Sequence, residues 1–543
     1  MRPFDASGAF RPVDGELGRL ALRGAGATIL SSALALGVQV IATVILARIL
    51  TPTDFGLVAM VTTFSLLLAN FGLNGFTEAV LQSERMDRFL ASNLFWINVG
   101  VGALLSVVFA AAGSLLARFY GNPLVAHVAV GVAPMIFLTS LSVLHLALLK
   151  RAMHFSVTSI NDIVSSTASV AIAICFGWAG WGYWALVLGA ISAPLFQSAG
   201  AWILCSWVPS LPRRVPGTAD MARFAINVYG RFSVNYAARN LDNLLVGWRF
   251  NAQALGFYKK AYDLFALSAG QLVAPLANVA VSALSRLKRG SVEYQRYLLS
   301  ALEVLAFVGM GLGATLTLVG ADVIRVLLGP RWNQAGQIFT FFGPGIGVMF
   351  LYYAHGWIHL SIGRPDRWFR WSIIECVFTS LLFVVGLPWG PVGVAVAWTT
   401  SFWILVIPAF SYAGKPIHLG VGPIVKAAWK YAIASLAAGV LSYLFRQRVL
   451  PAMSDTDSIG AIMRIVIVST VFGILYICAV IALHRGYEPL HQVGRLLRDM
   501  VPWTSLPRPS AVLAATSSSE RDGIVSGLWS PDQQSDQPGR GDS

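Results

Sequence analysis

Charged residues are scarce in this chain. Only 12% of its 543 residues are Asp, Glu, Lys or Arg, whereas 56% are hydrophobic, and soluble proteins carry about 25% charged residues. A soluble fold of this size still exposes much of its surface to water, so it cannot bury so much apolar side chain. The composition excludes a soluble enzyme, a nucleic-acid-binding module and a disordered scaffold, and it indicates an integral membrane protein.

Sequence motifs for catalysis, nucleotide binding and metal binding are also missing. The chain has no G-x-x-x-x-G-K-[ST] phosphate loop and no H-E-x-x-H motif. Its four cysteines lie in or beside apolar runs without the close spacing of a metal site or a redox pair, and its eight histidines do not cluster. We therefore expect no enzyme activity, no cofactor and no metal site.

Apolar runs of about 20 residues, the length that crosses the hydrocarbon core of a bilayer, recur along the chain. We count about fourteen, which predicts an all-α integral membrane fold. If the N-terminus is cytoplasmic, about 17 Lys and Arg residues lie in inner loops and about nine in outer loops. Because cytoplasmic loops are enriched in cations, both termini are predicted to be cytoplasmic.

Two outer turns repeat a short pattern. Phe55-Gly56-Leu57 and Leu255-Gly256-Phe257 each end one span and begin the next, six spans apart. Such a repeat predicts two six-helix lobes around a central cavity, followed by two extra helices. The predicted lobes are an N-lobe (27–207) and a C-lobe (225–413), joined by a cytoplasmic loop (208–224) and followed by the extra helices (428–484). A cytoplasmic N-terminal segment (1–26) precedes them, and a largely disordered cytoplasmic tail (485–543) follows.

The seventh span carries a polar stripe. Steps of three or four residues place its polar side chains on one face of a helix, and intramembrane charge is costly unless it faces protein or a water-filled cavity. Arg231 and Arg239 are therefore predicted to bind a pyrophosphate or an acidic sugar from the cavity, because guanidinium groups bind such anions through paired hydrogen bonds. The alternative is that Arg239 and Asp242 neutralise each other. The stripe is Asn227, Arg231, Asn235, Arg239 and Asp242.

The second span carries a shorter polar row, Asn70, Asn74 and Glu78. Asn70 and Asn74 either line the cavity opposite the seventh span or form hydrogen bonds between helices. Four intramembrane carboxylates are candidates for coupling transport to Na⁺ or protons, because a buried acid is expensive in a membrane without a function. They are Asp242, Glu78, Asp162 and Glu375.

The tenth span contains Gly343-Pro344-Gly345. Proline removes a helical hydrogen bond, so the motif predicts a break or a kink in mid-membrane. The aromatic and histidine side chains that follow could stack on sugar rings, but an interfacial belt is the preferred interpretation. They are Tyr352, Tyr353, His355, Trp357 and His359.

Over about residues 20–485 the chain resembles the bacterial oligosaccharide flippases, the PST-type polysaccharide biosynthesis export proteins of the multidrug/oligosaccharidyl-lipid/polysaccharide exporter superfamily. The matching stretches are Leu50–Gly56, Arg239–Gly247, Leu255–Tyr258 with Ala261, Ala283–Arg286 and Leu328–Trp332.

The resemblance implies a fourteen-helix, two-lobed inner-membrane flippase. Its substrate would be a polyprenyl-pyrophosphate-linked oligosaccharide, moved to the periplasmic leaflet by alternating access for lipopolysaccharide, capsule or exopolysaccharide. The expected partners are this substrate and membrane lipid, with no nucleic acid, and contacts with other polysaccharide assembly proteins are left open. The alternative function is a cation-coupled exporter of drugs or metabolites.

Overall fold

The computed structural model describes residues 3–5, 7–10, 34–83, 86–449, 458–488, 490–491 and 494, without the side chains at 267–275, 278–279 and 458. Most of the predicted N-terminal segment, the start of the first span and the predicted tail beyond residue 494 lie outside the described residues. Within those residues the regular structure is helical, apart from two isolated β-bridges near the N-terminus.

The helices follow one another with short connections. In chain order they are α1 (Leu34–Ile49), α2 (Pro52–Gln82), α3 (Arg88–Ala111), α4 (Gly113–Tyr120), α5 (Leu124–Val132), α6 (Pro134–Arg151), α7 (Phe155–Trp178), α8 (Tyr183–Leu204), α9 (Thr218–Arg249), α10 (Ala252–Arg286), α11 (Val292–Leu328), α12 (Asn333–Ser361), α13 (Pro365–Gly386), α14 (Gly390–Gly414), α15 (Val421–Val449) and α16 (Ser458–His484).

Ten stretches of the described chain are long and apolar enough to span a membrane. One of them, Pro365–Ile417, contains both α13 and α14. The polar helix α9 is long enough to span but is not among these apolar stretches. The all-α membrane class is confirmed, while the count of fourteen stays a prediction.

The two outer turns found in the sequence begin α2 and α10 in the same way. The Thr51 hydroxyl accepts a hydrogen bond from the backbone of Asp54, whose carboxylate accepts one from the backbone of Thr51. At the equivalent place Asn251 accepts a hydrogen bond from the Ala254 backbone at 2.8 Å. Both caps satisfy amide groups that a helix start leaves without partners, so the repeated pattern encodes two equivalent helix starts.

These two helix starts touch each other, and we call this contact the seam. A Cβ atom added to Gly56 would lie 1.6 Å from the Ala252 carbonyl oxygen, and one added to Gly256 would lie 1.9 Å from the Pro52 carbonyl oxygen. The contact is reciprocal, as expected for two repeats related by an approximate two-fold axis. Only glycine permits such an approach of two backbones.

Further contacts fasten the same end of the molecule. The Arg48 guanidinium on α1 donates to the Val326 carbonyl oxygen at 2.6 Å, and the Trp332 indole donates to the Ala47 carbonyl oxygen at 2.8 Å. Lys260 lies 4.1 Å from the centre of the Phe55 ring. The N-terminal and C-terminal helices are therefore closed against each other at the seam.

The break predicted for the tenth span is wrong, whereas a kink there stays a prediction. Helix α12 continues through Pro344, and its glycines serve close packing instead. A Cβ atom added to Gly313 of α11 would lie 2.7 Å from the Gly343 carbonyl oxygen, and one added to Gly309 would lie 3.0 Å from the Gly347 carbonyl oxygen. The carbonyl oxygen of Pro344 accepts a hydrogen bond from Trp403 at 3.2 Å, so the neighbouring helix α14 supports this region.

Helices α15 and α16 are joined to α11 by ion pairs between side chains, which were not predicted from the sequence. Arg464 of α16 is 3% exposed and lies 2.8 Å from the Asp322 carboxylate. Arg446 of α15 lies 3.3 Å from the other oxygen of the same carboxylate. One buried acid thus holds both C-terminal helices to the preceding bundle.

Candidate functional site

The polar stripe of α9 leads into a cavity in the C-terminal part of the bundle. Asn235 and Arg239 line this cavity, as expected for polar groups in a membrane helix. Arg231 is exposed but is not among the lining residues, because it lies two turns earlier on α9. The structure therefore brings together only part of the predicted stripe.

Five helices build the cavity, which has a volume of about 300 Å³. Besides Asn235, Arg239 and Ala238 of α9, its lining contains hydroxyl, carboxylate and aromatic side chains from α10, α12, α13 and α14: Tyr262, Tyr352, Tyr353, His355, Trp368, Ser372, Glu375, Cys376, Thr379, Phe383, Trp398, Ser401 and Phe402. A cationic group, hydrogen-bonding groups and aromatic faces suit a ligand that is both polar and ring-shaped.

Arg239 faces Glu375 across this cavity. The charge of Arg239 acts on the carboxylate of Glu375 and on the hydroxyls of Tyr262 and Tyr353. The Glu375 carboxylate and the Tyr352 hydroxyl are neighbours in this lining. One predicted anion-binding residue and one predicted ion-coupling residue are therefore neighbours, although they come from α9 and α13.

Asp242 does not pair with Arg239, so the alternative of mutual neutralisation is wrong. Asp242 is 1% exposed and accepts hydrogen bonds from the Tyr258 hydroxyl at 2.8 Å and from the Asn243 backbone at 2.7 Å. Among the described residues no ion pair joins it to a cation. The carboxylate is a buried group close to the seam, separate from the cavity lining.

The polar row of α2 is bonded along its own helix. The Asn70 amide donates to the Leu66 carbonyl oxygen at 2.7 Å, and the Asn74 amide donates to the Asn70 side-chain oxygen at 3.0 Å. Gln82 lies 3.5 Å from the Glu78 carboxylate. These contacts join no second helix, and none of the three row residues lines the described cavity. Their cavity role stays a prediction.

Asp162, the remaining predicted ion-coupling residue, lies on the other half of the molecule. It is exposed on α7 and accepts a hydrogen bond from Gln197 of α8 at 2.9 Å. It does not line the described cavity. Its predicted role in coupling has no test in this geometry.

The interfacial-belt interpretation of the α12 aromatics is wrong. Tyr352, His355, Trp357 and His359 are buried within the protein, whereas belt residues lie at the boundary between lipid and water. The ring of Tyr352 packs 5.1 Å from that of Phe402. These residues lie on several faces of α12, because their spacings include adjacent positions as well as steps of three and four residues. Their spacing therefore does not distinguish a membrane-interface belt from a buried core.

An aromatic wall was also missed in the sequence. The ring of Trp398 packs against those of Phe265 at 4.6 Å and Phe402 at 4.4 Å, and the ring of Tyr262 lies 6.0 Å from it. The four residues belong to two helices more than 130 positions apart. No local pattern signals that α10 and α14 combine their aromatic residues at one cavity.

Solved structures establish the fold. The chain is similar to the lipid II flippase MurJ in an inward closed conformation, with a TM-score of 0.65, 15% identity, and coverage of 84% of this chain and 98% of that chain. It is also similar to the inward-facing conformation of a multidrug resistance MATE family transporter of the MOP superfamily, with a TM-score of 0.55, 13% identity, and coverage of 72% and 98%.

Characterised relatives come from polysaccharide biosynthesis. The succinoglycan biosynthesis transport protein ExoT of Rhizobium meliloti is 20% identical over 381 residues, which are 69% of this chain and 76% of the relative. The lipopolysaccharide biosynthesis protein WzxC of Escherichia coli is 20% identical over 410 residues, or 73% and 81%. The teichuronic acid biosynthesis protein TuaB of Bacillus subtilis is 25% identical over 307 residues, or 55% and 62%.

A family model described as "Polysaccharide biosynthesis protein" matches residues 45–337, which include the seam, the stripe of α9 and the helix α11. The predicted resemblance is thus confirmed. The chain belongs to the polysaccharide biosynthesis protein family, and it is a multi-pass membrane transporter of the flippase type with the fold of the multidrug/oligosaccharidyl-lipid/polysaccharide exporter superfamily, not an enzyme.

Proposed function

We propose that the protein moves a polyprenyl-pyrophosphate-linked oligosaccharide from the cytoplasmic to the periplasmic leaflet of a bacterial inner membrane. The polymer would be lipopolysaccharide, capsule or exopolysaccharide. In this proposal about fourteen spans form two lobes and two extra helices, with both termini in the cytoplasm. The lipid tail stays in the bilayer, because only the polar head needs a path that avoids hydrocarbon.

The observation that carries this proposal is the placement of Arg239 on a cavity with aromatic walls. A guanidinium group binds pyrophosphate oxygens through paired, charge-assisted hydrogen bonds. Asn235 and Ser401 add neutral hydrogen-bonding groups to the same cavity, and Trp398 adds an aromatic face. Sugar rings combine hydroxyl groups with apolar faces, so both kinds of lining group match a glycan head.

The seam supports alternating access. Both halves of the molecule are closed at Gly56 and Gly256, while Arg231 and Asn227 are exposed on the part of α9 that leads away from the seam. If the seam lies at the periplasmic side, as the loop charges predict, this arrangement admits substrate from the cytoplasmic side. Opening the seam would then release the head to the periplasm.

The experiment is to delete the gene and measure polyprenyl-linked glycan in each leaflet by its access to a periplasmic ligase or an external probe. We expect the intermediate to accumulate in the cytoplasmic leaflet and surface polymer to be lost, and both to recover when the full chain is supplied. Normal leaflet distribution with intact polymer would overturn the proposal. Altered drug sensitivity with intact polymer would favour the small-molecule exporter instead.

A further inference from the structure

Two buried histidines lie on α12 between the cavity and the end of that helix. His355 is 2% exposed and lines the cavity, and His359 is 0% exposed and follows one turn later. Their ring centroids are 6.0 Å apart and their planes are nearly perpendicular. Substrate binding as proposed above requires neither of them.

Three nitrogen atoms of this pair lack hydrogen-bond partners. The Nδ1 atom of His355 contacts the Tyr352 carbonyl oxygen, and since a carbonyl only accepts, this nitrogen carries the proton. The Nε2 atom of His355 then holds a free lone pair. That atom and both ring nitrogens of His359 have no partner among the described residues. Buried polar atoms without partners are rare, which points to a role that needs them free.

The pair connects to the cavity through Tyr352. The ring of Tyr352 lies 4.6 Å from that of His355, and its hydroxyl is a neighbour of the Glu375 carboxylate. The same hydroxyl accepts a hydrogen bond from the Trp371 indole at 2.8 Å. A titratable acid, a hydroxyl and an imidazole are thus adjacent along one wall.

The pair connects to the protein surface at the turn between α12 and α13. The His359 carbonyl oxygen accepts a hydrogen bond from the Arg364 backbone at 2.9 Å, and Arg364 forms an ion pair with Asp366 at 2.9 Å in which both side chains are about half exposed. His359 is therefore one turn from solvent-exposed titratable groups.

We propose that His355 and His359 carry protons between Glu375 in the cavity and the protein surface at Asp366. In one direction the O–H bond of protonated Glu375 breaks and an N–H bond forms at Nε2 of His355, directly or through cavity solvent. The imidazolium passes its proton to His359, which releases it at the exposed turn and leaves both rings neutral. The inference rests on the proposed function, because it couples proton movement to transport.

Charged and aromatic side chains from α13 and α14 surround His359. The neighbours of His359 on α13 carry opposite charges, Asp366 and Arg367. From α14, the Tyr412 ring lies 5.8 Å from His359 and accepts the Arg367 guanidinium over its face at 4.3 Å. Among the described residues no third ligand completes a metal site with the two histidines.

The proposed path would change the protonation of Glu375 and thereby the availability of Arg239 to a substrate. With Glu375 ionised, its carboxylate competes with an anionic substrate for Arg239. With Glu375 protonated, the Arg239 guanidinium is available to the substrate. Arrival and departure of a proton through His355 would therefore change the affinity of the cavity for an anion.

Reconstituted vesicles test the path directly. The purified full chain is placed in liposomes that contain a pH-sensitive dye, and a potassium diffusion potential drives proton entry. We expect proton flux well above that of empty liposomes, reduced about tenfold or more in His355→Gln and in His359→Gln, because Gln forms hydrogen bonds but does not transfer protons. The control His127→Gln, at an exposed position of α5, should match the unchanged protein.

Flux in both variants equal to that of the unchanged protein would overturn the inference, as would unchanged protein that conducts no more than empty liposomes. Polymer export in the deletion strain separates this failure from a failure of the proposed function. If the unchanged chain restores export and both variants restore it with the same pH profile and the same response to a protonophore, only the proton path is wrong. If the unchanged chain does not restore export, the proposed function itself is wrong.

Discussion

Arg239 and Asp242 are three residues apart on α9 yet have different surroundings. Asp242 is held by Tyr258 near the seam, whereas Arg239 turns toward the cavity and Glu375. No acidic side chain of α9 forms an ion pair with Arg239 in the described chain. Because its positive charge is shared only with a carboxylate across the cavity, Arg239 remains able to bind an anion from solution.

Replacing Arg239 tests this reasoning. We expect Arg239→Ala to slow polymer export about 10- to 100-fold, since a hydrogen bond to a charged group contributes about 1.5–3 kcal/mol. Arg239→Lys should fall between, because an ammonium keeps the charge but loses the paired geometry of the guanidinium. The measurement is the rate of surface polymer formation in a deletion strain that carries each variant at equal membrane abundance.

Two other arginines of α9 serve as comparisons. Arg231→Ala should impair export less than Arg239→Ala, because Arg231 lies off the described cavity. Arg223→Ala, at an exposed position of the same helix, should have no effect. Equal export by Arg239→Ala and Arg223→Ala would remove Arg239 from the binding site.

At this scale the sequence predicts which face of a helix is polar but not what that face meets. The four-residue step from Asn235 to Arg239 identifies two cavity residues correctly, because helical geometry is local. Glu375 was predicted as a membrane acid, yet its proximity to Arg239 depends on how α9 and α13 pack. The aromatic residues of α12 were misinterpreted for the same reason, since an aromatic ring is compatible with both a core and a membrane interface.

Among the elements, α15 and α16 share one acid of α11, Asp322, as an ion-pair partner. Removing Asp322 would take away the carboxylate that lies 2.8 Å from the buried Arg464 guanidinium. Breaking a buried ion pair in this way costs about 3–5 kcal/mol. We expect Asp322→Ala to lower the midpoint of thermal unfolding in detergent by several degrees. Arg464→Met should be milder, because Asp322 then keeps Arg446 as its partner.

The double variant Asp322→Ala with Arg464→Met is the matched control. It removes the acid together with its buried partner, and apolar replacement of a buried pair is often neutral or stabilising. Its midpoint should therefore lie above that of Asp322→Ala alone. A midpoint for Asp322→Ala equal to that of the unchanged chain would show that the buried ions do not hold these helices.

The elements differ in how far their own residues determine their structure. Helix α9 occupies the predicted seventh span although it is not among the strongly apolar helices, and its polar residues recur at helical steps. The predicted break in α12 is wrong, since the helix continues through Pro344. Trp403 and Thr399 of α14 donate hydrogen bonds to the Pro344 and Phe341 carbonyl oxygens beside it. Whether a proline interrupts a helix depends on such neighbours, which a single sequence does not identify.

For the whole molecule, the seam connects the sequence repeat to movement. Each half contributes a capped helix start and a glycine, and each glycine meets the backbone of the other half. A contact between two equivalent surfaces can be separated by a rigid rotation without unfolding either one. Alternating access therefore requires only that the states with a closed seam and an open seam have similar free energies.

A single methyl group at the seam should shift this balance. We expect Gly256→Ala to favour the state with an open seam, because its Cβ atom would lie 1.9 Å from the Pro52 carbonyl oxygen in the closed one.

The reporter is Asn235→Cys in the cavity, with the native cavity thiol removed by Cys376→Ser. Spheroplasts carrying this reporter are treated with a membrane-impermeant maleimide, which reaches the cavity only from the periplasmic side. Labelling should rise several-fold with Gly256→Ala and stay low with Gly100→Ala, where an added Cβ atom meets nothing within 4 Å. Equal labelling of both at equal membrane abundance would mean that the seam does not control access to the cavity.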